Sequence, residues 1–172
     1  MHLITFSIDS RVRIGVLDRE RNEVVDLSIA ASDLPGNILG FIAQGPVAQE
    51  KAQAAADAGI GRIALDQVQV LAPISKPRRN VICIGKNYRE HVKELQSASA
   101  VFDNGGQNKL PEKPIFFTKA TTSVIGPNES IPASLDPTSS TDYEGELAVI
   151  IGQGGRGIKY ADAMQHVFGY TI

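Results

Sequence analysis

Alternating carboxylates are the clearest chemical signal in this sequence. Asp142, Glu144 and Glu146 occupy every second position of a run that continues into the apolar residues 147–151. The pattern of residues 143–151 predicts a strand, and residues two apart in a strand share a face. Carboxylates held close together repel one another, so they need either bulk water or a cation beside them. The apolar continuation indicates a buried strand, which favours a hard cation with oxygen ligands, while a hydrated acidic surface stays the alternative.

A second candidate group lies on a predicted helix. Residues 88–95 favour a helix that follows the apolar strand 80–84, and His91 and Glu94 are three residues apart on one face of it. A carboxylate beside an imidazole fixes the tautomer and raises the basicity of the ring, as a general base requires. The alternative is an ordinary ion pair on a surface helix.

Lys119 is a third candidate. It lies two residues after the short apolar strand 115–117 and precedes the hydroxyl residues 121–123. A lysine in that position can stabilise a developing oxyanion or hold a carboxylate. It can equally be a surface lysine whose stem covers apolar neighbours.

Two further patterns carry no predicted site. The glycine-rich run 152–157 lacks the parallel strand–helix–strand setting of a nucleotide-binding loop, so we interpret it as a hairpin turn. Cys83 lies within the apolar strand 80–84 and is predicted to be a buried strand residue rather than a nucleophile. We therefore expect no organic cofactor.

The elements that must position these residues fall into two parts, separated by prolines. Pro73 and Pro77 mark a linker over residues 73–79, which predicts a small β-rich domain over 1–72 and a second domain over 80–172. Residues 96–113 have no clear periodicity, which is typical of a functional lid or a disordered stretch. The other predicted elements are strands at 2–8, 12–17, 23–26 and 63–71, short helices or irregular structure at 28–45, an alanine-rich helix at 47–58 ending before Gly59, a helix at 160–167 and a strand from 169.

Net charge, cysteine count and the length of the apolar runs indicate which binding partners and which compartment to expect. The 172 residues carry a net charge of −2 and one cysteine. We expect neither nucleic acid nor membrane as a partner, because the charge is not basic and no apolar run is long enough to cross a bilayer. A lone cysteine suits a reducing compartment, and the N-terminus lacks a secretory pattern, so we expect a cytoplasmic or mitochondrial protein.

Taken in this order, the candidate groups resemble the fumarylacetoacetate hydrolase (FAH) superfamily. The similar stretches are VICIGKNYREHVKE, PEKPIFFTKATTSVIGPNESI and DYEGELAVIIGQGGRGIKYADAMQHVFGYT. The opening RIGVLDRERNEVVDLSIA is similar to the small N-terminal domain of many members. The resemblance implies a mixed α/β fold, mainly β, with that domain followed by an FAH-type mixed β-roll.

The resemblance also implies roles for particular residues. Glu144 and Glu146 match paired metal-ligating glutamates, His91 and Glu94 match a catalytic histidine–glutamate pair, and Lys119 matches a lysine that lines the pocket. The implied metal is Mg²⁺, or Mn²⁺ or Ca²⁺ in its place. The implied substrate is a small 2-oxo acid or 1,3-dicarbonyl compound, and the implied assembly is a homodimer. The implied reactions are C–C bond hydrolysis of acylpyruvate type and the decarboxylation or tautomerisation of oxaloacetate.

The sequence departs from the family pattern at its end. In the family an aspartate, the third carboxylate ligand, follows a Gly-Tyr-Thr stretch, whereas this sequence stops at Ile172. We therefore expect a truncated β-roll and weak or no activity from these residues alone. Asp142 is not expected to replace the third ligand, because its strand already supplies two. The alternative function is an inactive relative that acts as a binding or oligomerising subunit.

Overall fold

The computed structural model describes the backbone of residues 1–97 and 111–172 and the side chains of residues 1–93 and 111–172. By its internal contacts the chain divides into two compact units, one formed by Met1–Ser75 with Ile125–Ile172 and one formed by Lys76–Val124. The expected mixed α/β class, mainly β, is confirmed: the described residues form three small antiparallel sheets and four α-helices. The domain boundaries expected at 1–72 and 80–172 stay a prediction, and most of the expected lid at 96–113 lies outside the described residues.

A five-stranded antiparallel sheet forms most of the N-terminal part. Its strands are β1 (Leu3–Ile8), β2 (Arg11–Asp18), β3 (Glu23–Asp26), β4 (Arg62–Ala64) and β5 (Gln69–Leu71), in the order β4-β3-β2-β1-β5. Asp9 and Ser10 join β1 to β2 with φ angles of 49° and 61°, as a two-residue hairpin turn requires. The prediction of one strand over 63–71 is wrong. A 3₁₀ turn at Leu65–Gln67 breaks that run, so that β4 and β5 pair at opposite edges of the sheet.

Three helices pack on this sheet: α1 (Leu27–Ala30), α2 (Ile38–Gln44) and α3 (Pro46–Ala58). The Asn37 side chain caps α2 by accepting a hydrogen bond from the Gly40 N–H at 2.9 Å, and Gly59 ends α3 in the left-handed conformation at φ 67°. One core cluster joins sheet and helices; its buried members are Ile14, Val16, Val25, Leu27, Leu34, Phe41, Ala48, Ala52 and Ala55.

The second compact unit contains a two-stranded sheet and one helix. Strand β6 (Val81–Gly85) pairs antiparallel with β7 (Ile115–Lys119), and helix α4 (Arg89–Ser97) follows β6. Val92 is buried, so α4 packs through the face that carries it. The strand predicted at 80–84 and the helix predicted at 88–95 are both confirmed, to within two residues.

The C-terminal part forms a long hairpin. Strands β8 (Ala148–Ile151) and β9 (Val167–Thr171) pair antiparallel, and a 3₁₀ helix at Tyr160–His166 lies in their connection. The glycine run 152–157 does lie between two antiparallel strands, but it is no tight turn, because the connection continues to residue 166. The helix expected at 160–167 is a 3₁₀ helix at Tyr160–His166. Phe168 of β9 packs against the core cluster of the N-terminal part, edge-on to Phe41 with ring centroids 6.2 Å apart. None of the helices described is long and apolar enough to cross a membrane.

Candidate functional site

Glu144 and Glu146 lie in a segment, residues 142–147, that leads directly into β8. The prediction of a strand from residue 143 is wrong, because residues 142–147 have no regular secondary structure and β8 begins only at Ala148. Ala148 pairs with Thr171, and no described residue forms a ladder with the segment before it. Both glutamates are exposed, and a Cβ placed on Gly145 between them would meet nothing within 4 Å. The segment therefore offers two carboxylates beside open space.

The expected burial of the apolar run 147–151 is also wrong. Leu147, Val149 and Ile151 are each about half exposed, because β8 and β9 form a two-stranded ribbon and the exposed faces of β8 have no covering layer among the described residues. The case for a metal thus cannot rest on a buried strand end. It rests on the donor chemistry, since carboxylate oxygens are the ligands that hard divalent cations prefer. Among the described residues, no group of three or more His, Cys, Asp or Glu side chains is placed to hold an ion.

Asp142 is engaged with the backbone of the next residue. Its Oδ1 accepts a hydrogen bond from the Tyr143 N–H at 2.9 Å, and the Tyr143 side chain is exposed. The carboxylate is thus turned to the chain beside it. That Asp142 does not take the place of a third ligand stays a prediction.

A compact turn immediately precedes this segment, and sequence analysis missed it. Asp136 Oδ1 accepts hydrogen bonds from the Thr138 N–H at 3.0 Å and the Thr138 hydroxyl at 2.7 Å. Its Oδ2 accepts from the Thr141 N–H and the Thr141 hydroxyl, both at 2.6 Å. The Thr138 hydroxyl, whose one proton goes to Asp136, accepts in turn from Ser140 at 2.6 Å. We name residues 136–141 the Asp136 clamp.

The hydrogen bonds of the clamp also set the charge of Asp136. The Thr141 hydroxyl, then the Thr138 hydroxyl and the Thr141 N–H, hold the pKa of the Asp136 carboxyl far below its usual range. The carboxylate is therefore ionised at neutral pH. A sequence signal for this turn existed, since an aspartate two residues before a threonine is typical of an Asx turn.

The second compact unit carries the other candidates. His91 is partly buried on α4, next to the buried Val92, and Glu94 lies on the same helix, although its side chain is outside the described residues. Lys119 ends β7 and is exposed. The register pairs Lys119 with the first residue of β6, four residues or about 13 Å along the ladder from the end that leads towards α4. The structure thus places the lysine and the strand–helix junction at opposite ends of β6.

Cys83 lies on β6 opposite Phe117. It is only partly buried, and the strand around it is largely exposed, so the prediction of a buried strand is wrong. The reason is the same as at β8: two paired strands leave their apolar residues uncovered when no layer packs on them. Ile82 and Phe116 are the most exposed apolar residues of this sheet, at 69% and 65%.

Comparison with known proteins matches the C-terminal part of the chain to one family. The fumarylacetoacetate (FAA) hydrolase C-terminal family matches residues 80–172, which is more than half of the chain and includes all five candidate residues. The chain belongs to the fumarylacetoacetate hydrolase family. The resemblance inferred from its motifs is thereby confirmed.

Individual family members span the whole of this chain. Oxaloacetate tautomerase YisK of Bacillus subtilis is 36% identical over 187 aligned residues, which cover 100% of this chain and 58% of that protein. The solved fumarylacetoacetate hydrolase of the psychrophile Exiguobacterium antarcticum is 37% identical with a TM-score of 0.71, covering 98% of this chain and 53% of that one. The chain therefore spans little more than half the length of these relatives.

A more distant structure shows the same fold. Maleylpyruvate hydrolase of Sphingobium sp. SYK-6, solved in complex with manganese(II) and pyruvate, is 24% identical with a TM-score of 0.67. The match covers 99% of this chain and 56% of that one. Glu144 and Glu146, two residues apart with open space at Gly145 between them, offer two carboxylate donors of the kind that a divalent cation takes.

Proposed function

We propose that this chain carries the metal-binding and proton-transfer residues of a divalent-metal enzyme that acts on small 2-oxo acids. The observation that carries the proposal is the exposed Glu144–Gly145–Glu146 segment, open to solvent at its glycine, within a chain of the FAH family. Mg²⁺ is our first choice of metal, with Mn²⁺ or Ca²⁺ able to use the same ligands. The manganese of the maleylpyruvate hydrolase supports the class of ion.

We assign the metal to Glu144 and Glu146 and the proton transfer to His91. A bound divalent cation supplies Lewis-acid polarisation of a keto oxygen. His91 takes the proton from the carbon next to the keto group, or returns it, with Glu94 three residues on orienting the ring. We assign to Lys119 the holding of negative charge on the substrate because of its ammonium group, although its strand position alone does not bring it to His91.

Oxaloacetate tautomerisation is the reaction we favour. The name of the Bacillus subtilis relative supports it, as does its identity of 36% across the entire chain. Acylpyruvate C–C hydrolysis uses the same metal, base and lysine, with water as the nucleophile, and is the second choice within the enzyme class. Both reactions require removal or delivery of one proton beside a polarised carbonyl group, which is the chemistry that His91 can perform.

Metal titration tests the proposal. The chain is titrated with Mn²⁺ by calorimetry and by the loss of the electron paramagnetic resonance signal of the hydrated ion. We expect saturable binding that Glu144→Gln and Glu146→Gln each weaken at least tenfold. Glu129→Gln, which removes an exposed carboxylate outside the segment, is the matched control and should bind as the unchanged chain does. Equal binding by all four proteins would contradict the assignment.

An inactive binding or oligomerising subunit is the second candidate. The exposed apolar residues of β6 and β7, led by Ile82 and Phe116, favour it, because uncovered apolar surface of this kind is typical of contacts with another chain. A homodimer is compatible with either function. Light scattering measures the assembly, and the Mn²⁺ titration separates the functions: association without metal binding supports the subunit.

A further inference from the structure

We propose that Asp136 is a positioning residue that fixes the start of the metal-ligating segment 142–147 through its hydrogen bonds to Thr141. The inference rests on the proposed function, since it concerns how Glu144 and Glu146 are held for a cation. Thr141 is the residue immediately before the segment, and both its N–H and its hydroxyl donate to Asp136 Oδ2 at 2.6 Å.

The clamp adjoins a part of the chain that core packing does not fix. Residues 133–146 are all exposed apart from an intermediate Asp136, so core packing does not fix this part of the chain. Residues 142–147 make no strand pairing, and their C-terminal end is fixed by the pairing of Ala148 with Thr171. The Asp136 clamp fixes the other end, so the two glutamates lie on a six-residue span anchored on both sides.

The bonding pattern of Asp136 is stronger than an ordinary turn needs. A single hydrogen bond to Thr138 would already form an Asx turn, yet here both carboxylate oxygens accept two donors each. Bonds to an ionised acceptor are shorter and stronger than neutral ones. Because a ligand set that is ordered before binding loses less conformational freedom on binding, this clamp should increase affinity for the cation without touching it.

Three substitutions test the hydrogen bonds of the clamp, of which two weaken them and one retains them. Asp136→Asn removes one of the two oxygens, Thr141→Val removes the hydroxyl at constant shape, and Thr141→Ser retains it. Asp162→Asn is the matched control, because Asp162 is an exposed acid of the same chain outside both clamp and segment.

Hydrogen–deuterium exchange on peptides covering 142–147 is the first measurement. We expect exchange to be several-fold faster in Asp136→Asn and Thr141→Val, and unchanged in Thr141→Ser and Asp162→Asn. Mn²⁺ titration is the second, with affinity about tenfold weaker in the first two variants and restored in Thr141→Ser. The urea midpoint should stay the same in all of them, since a merely structural role would move it.

The two possible failures are distinct. Unchanged exchange in Asp136→Asn overturns the clamp, whatever the metal affinity. Faster exchange with unchanged Mn²⁺ affinity overturns the positioning role and leaves the metal site standing. Absence of Mn²⁺ binding by the unchanged chain overturns the proposed function, and the positioning role with it.

Discussion

The contact between Phe41 and Phe168 should be measurable as a coupling energy between the N-terminal core and the C-terminal hairpin. Phe41 is fully buried in α2, and Phe168 of β9 meets it edge-on, with centroids 6.2 Å apart and an interplanar angle of 87°. Aromatic pairs of this geometry contribute about 0.5–1.5 kcal/mol beyond the area that they bury. Replacing either ring by leucine removes that term but retains most of the apolar volume.

The loss of unfolding free energy expected for each single variant depends on how deeply its ring is buried. Phe41→Leu changes a fully buried side chain of similar chemistry and should lower the free energy of unfolding by about 1–1.5 kcal/mol. Phe41→Ala would lose about 3–5 kcal/mol, which is a large part of the stability of a small domain, so leucine is the safer probe. Phe168 is only partly buried, so Phe168→Leu should be milder.

A double-mutant cycle in urea is the assay. Four proteins are unfolded and followed by far-ultraviolet circular dichroism, and the coupling is the departure of the double variant from the sum of the single ones. We expect about 0.5–1.5 kcal/mol. Phe41→Leu with Phe116→Leu, an exposed ring in the other compact unit, is the control and should be additive. A coupling below about 0.3 kcal/mol between Phe41 and Phe168 would show that the hairpin is not held by the core.

Three further substitutions test the N-terminal sheet. Gly15→Ala should lower the free energy of unfolding by about 1–3 kcal/mol in urea denaturation, because the added Cβ would lie 2.5 Å from a methyl group of Val24 and 2.8 Å from a backbone oxygen. Asp26→Ala should lower the free energy of unfolding by about 3–5 kcal/mol. It removes the side chain that caps α1, and it leaves Arg13, which is bonded to Asp26 at 2.5 Å, without its partner. A loss below about 1 kcal/mol would contradict this. The hydrogen bond from Arg62 lowers the pKa of Asp18, so ionised Asp18 stabilises the fold above its unfolded pKa of about 4, and this contribution is lost as pH falls through the lower folded value. Arg62→Met should therefore destabilise the protein at pH 7 and converge towards the unchanged protein in acid; a constant difference across an acid titration would refute it.

The sequence predicted the N-terminal strands well because their signals are local. The Asp9–Ser10 turn and the Gly59 helix end are each marked by a local turn residue, Asp9 and Gly59, that adopts positive φ, so neighbouring elements follow from them. The prediction of one strand over 63–71 was wrong because the outcome there depends on contacts that are distant in sequence. Whether a continuous apolar stretch stays on one edge of a sheet or crosses to the other is decided by tertiary pairing, here of β4 with β3 and of β5 with β1.

Burial was the least predictable property. The runs 80–84 and 147–151 are apolar and do form strands, yet both are largely exposed, since an apolar run does not state whether a second layer will cover it. The five candidate residues stay a prediction drawn from residue types and the family resemblance, and the matched region 80–172 contains all of them. Asp136 was missed although its Asx pattern is local, and Phe168 was missed because its partner is more than a hundred residues away.

These two missed residues bear on the same glutamates by different physical routes. The Asp136 clamp acts through hydrogen bonds to an ionised carboxylate in an exposed turn, so it is short-range and insensitive to core packing. Phe168 acts through apolar contact with the core, and the pairing of β9 with β8 connects it to the residue that ends the segment. If Glu144 and Glu146 bind a cation as we propose, ligands on an irregular segment need both kinds of restraint, because hydrogen bonds fix local geometry while the core fixes where the hairpin lies. On that proposal, the core of the N-terminal part also supports the segment that carries the two glutamates.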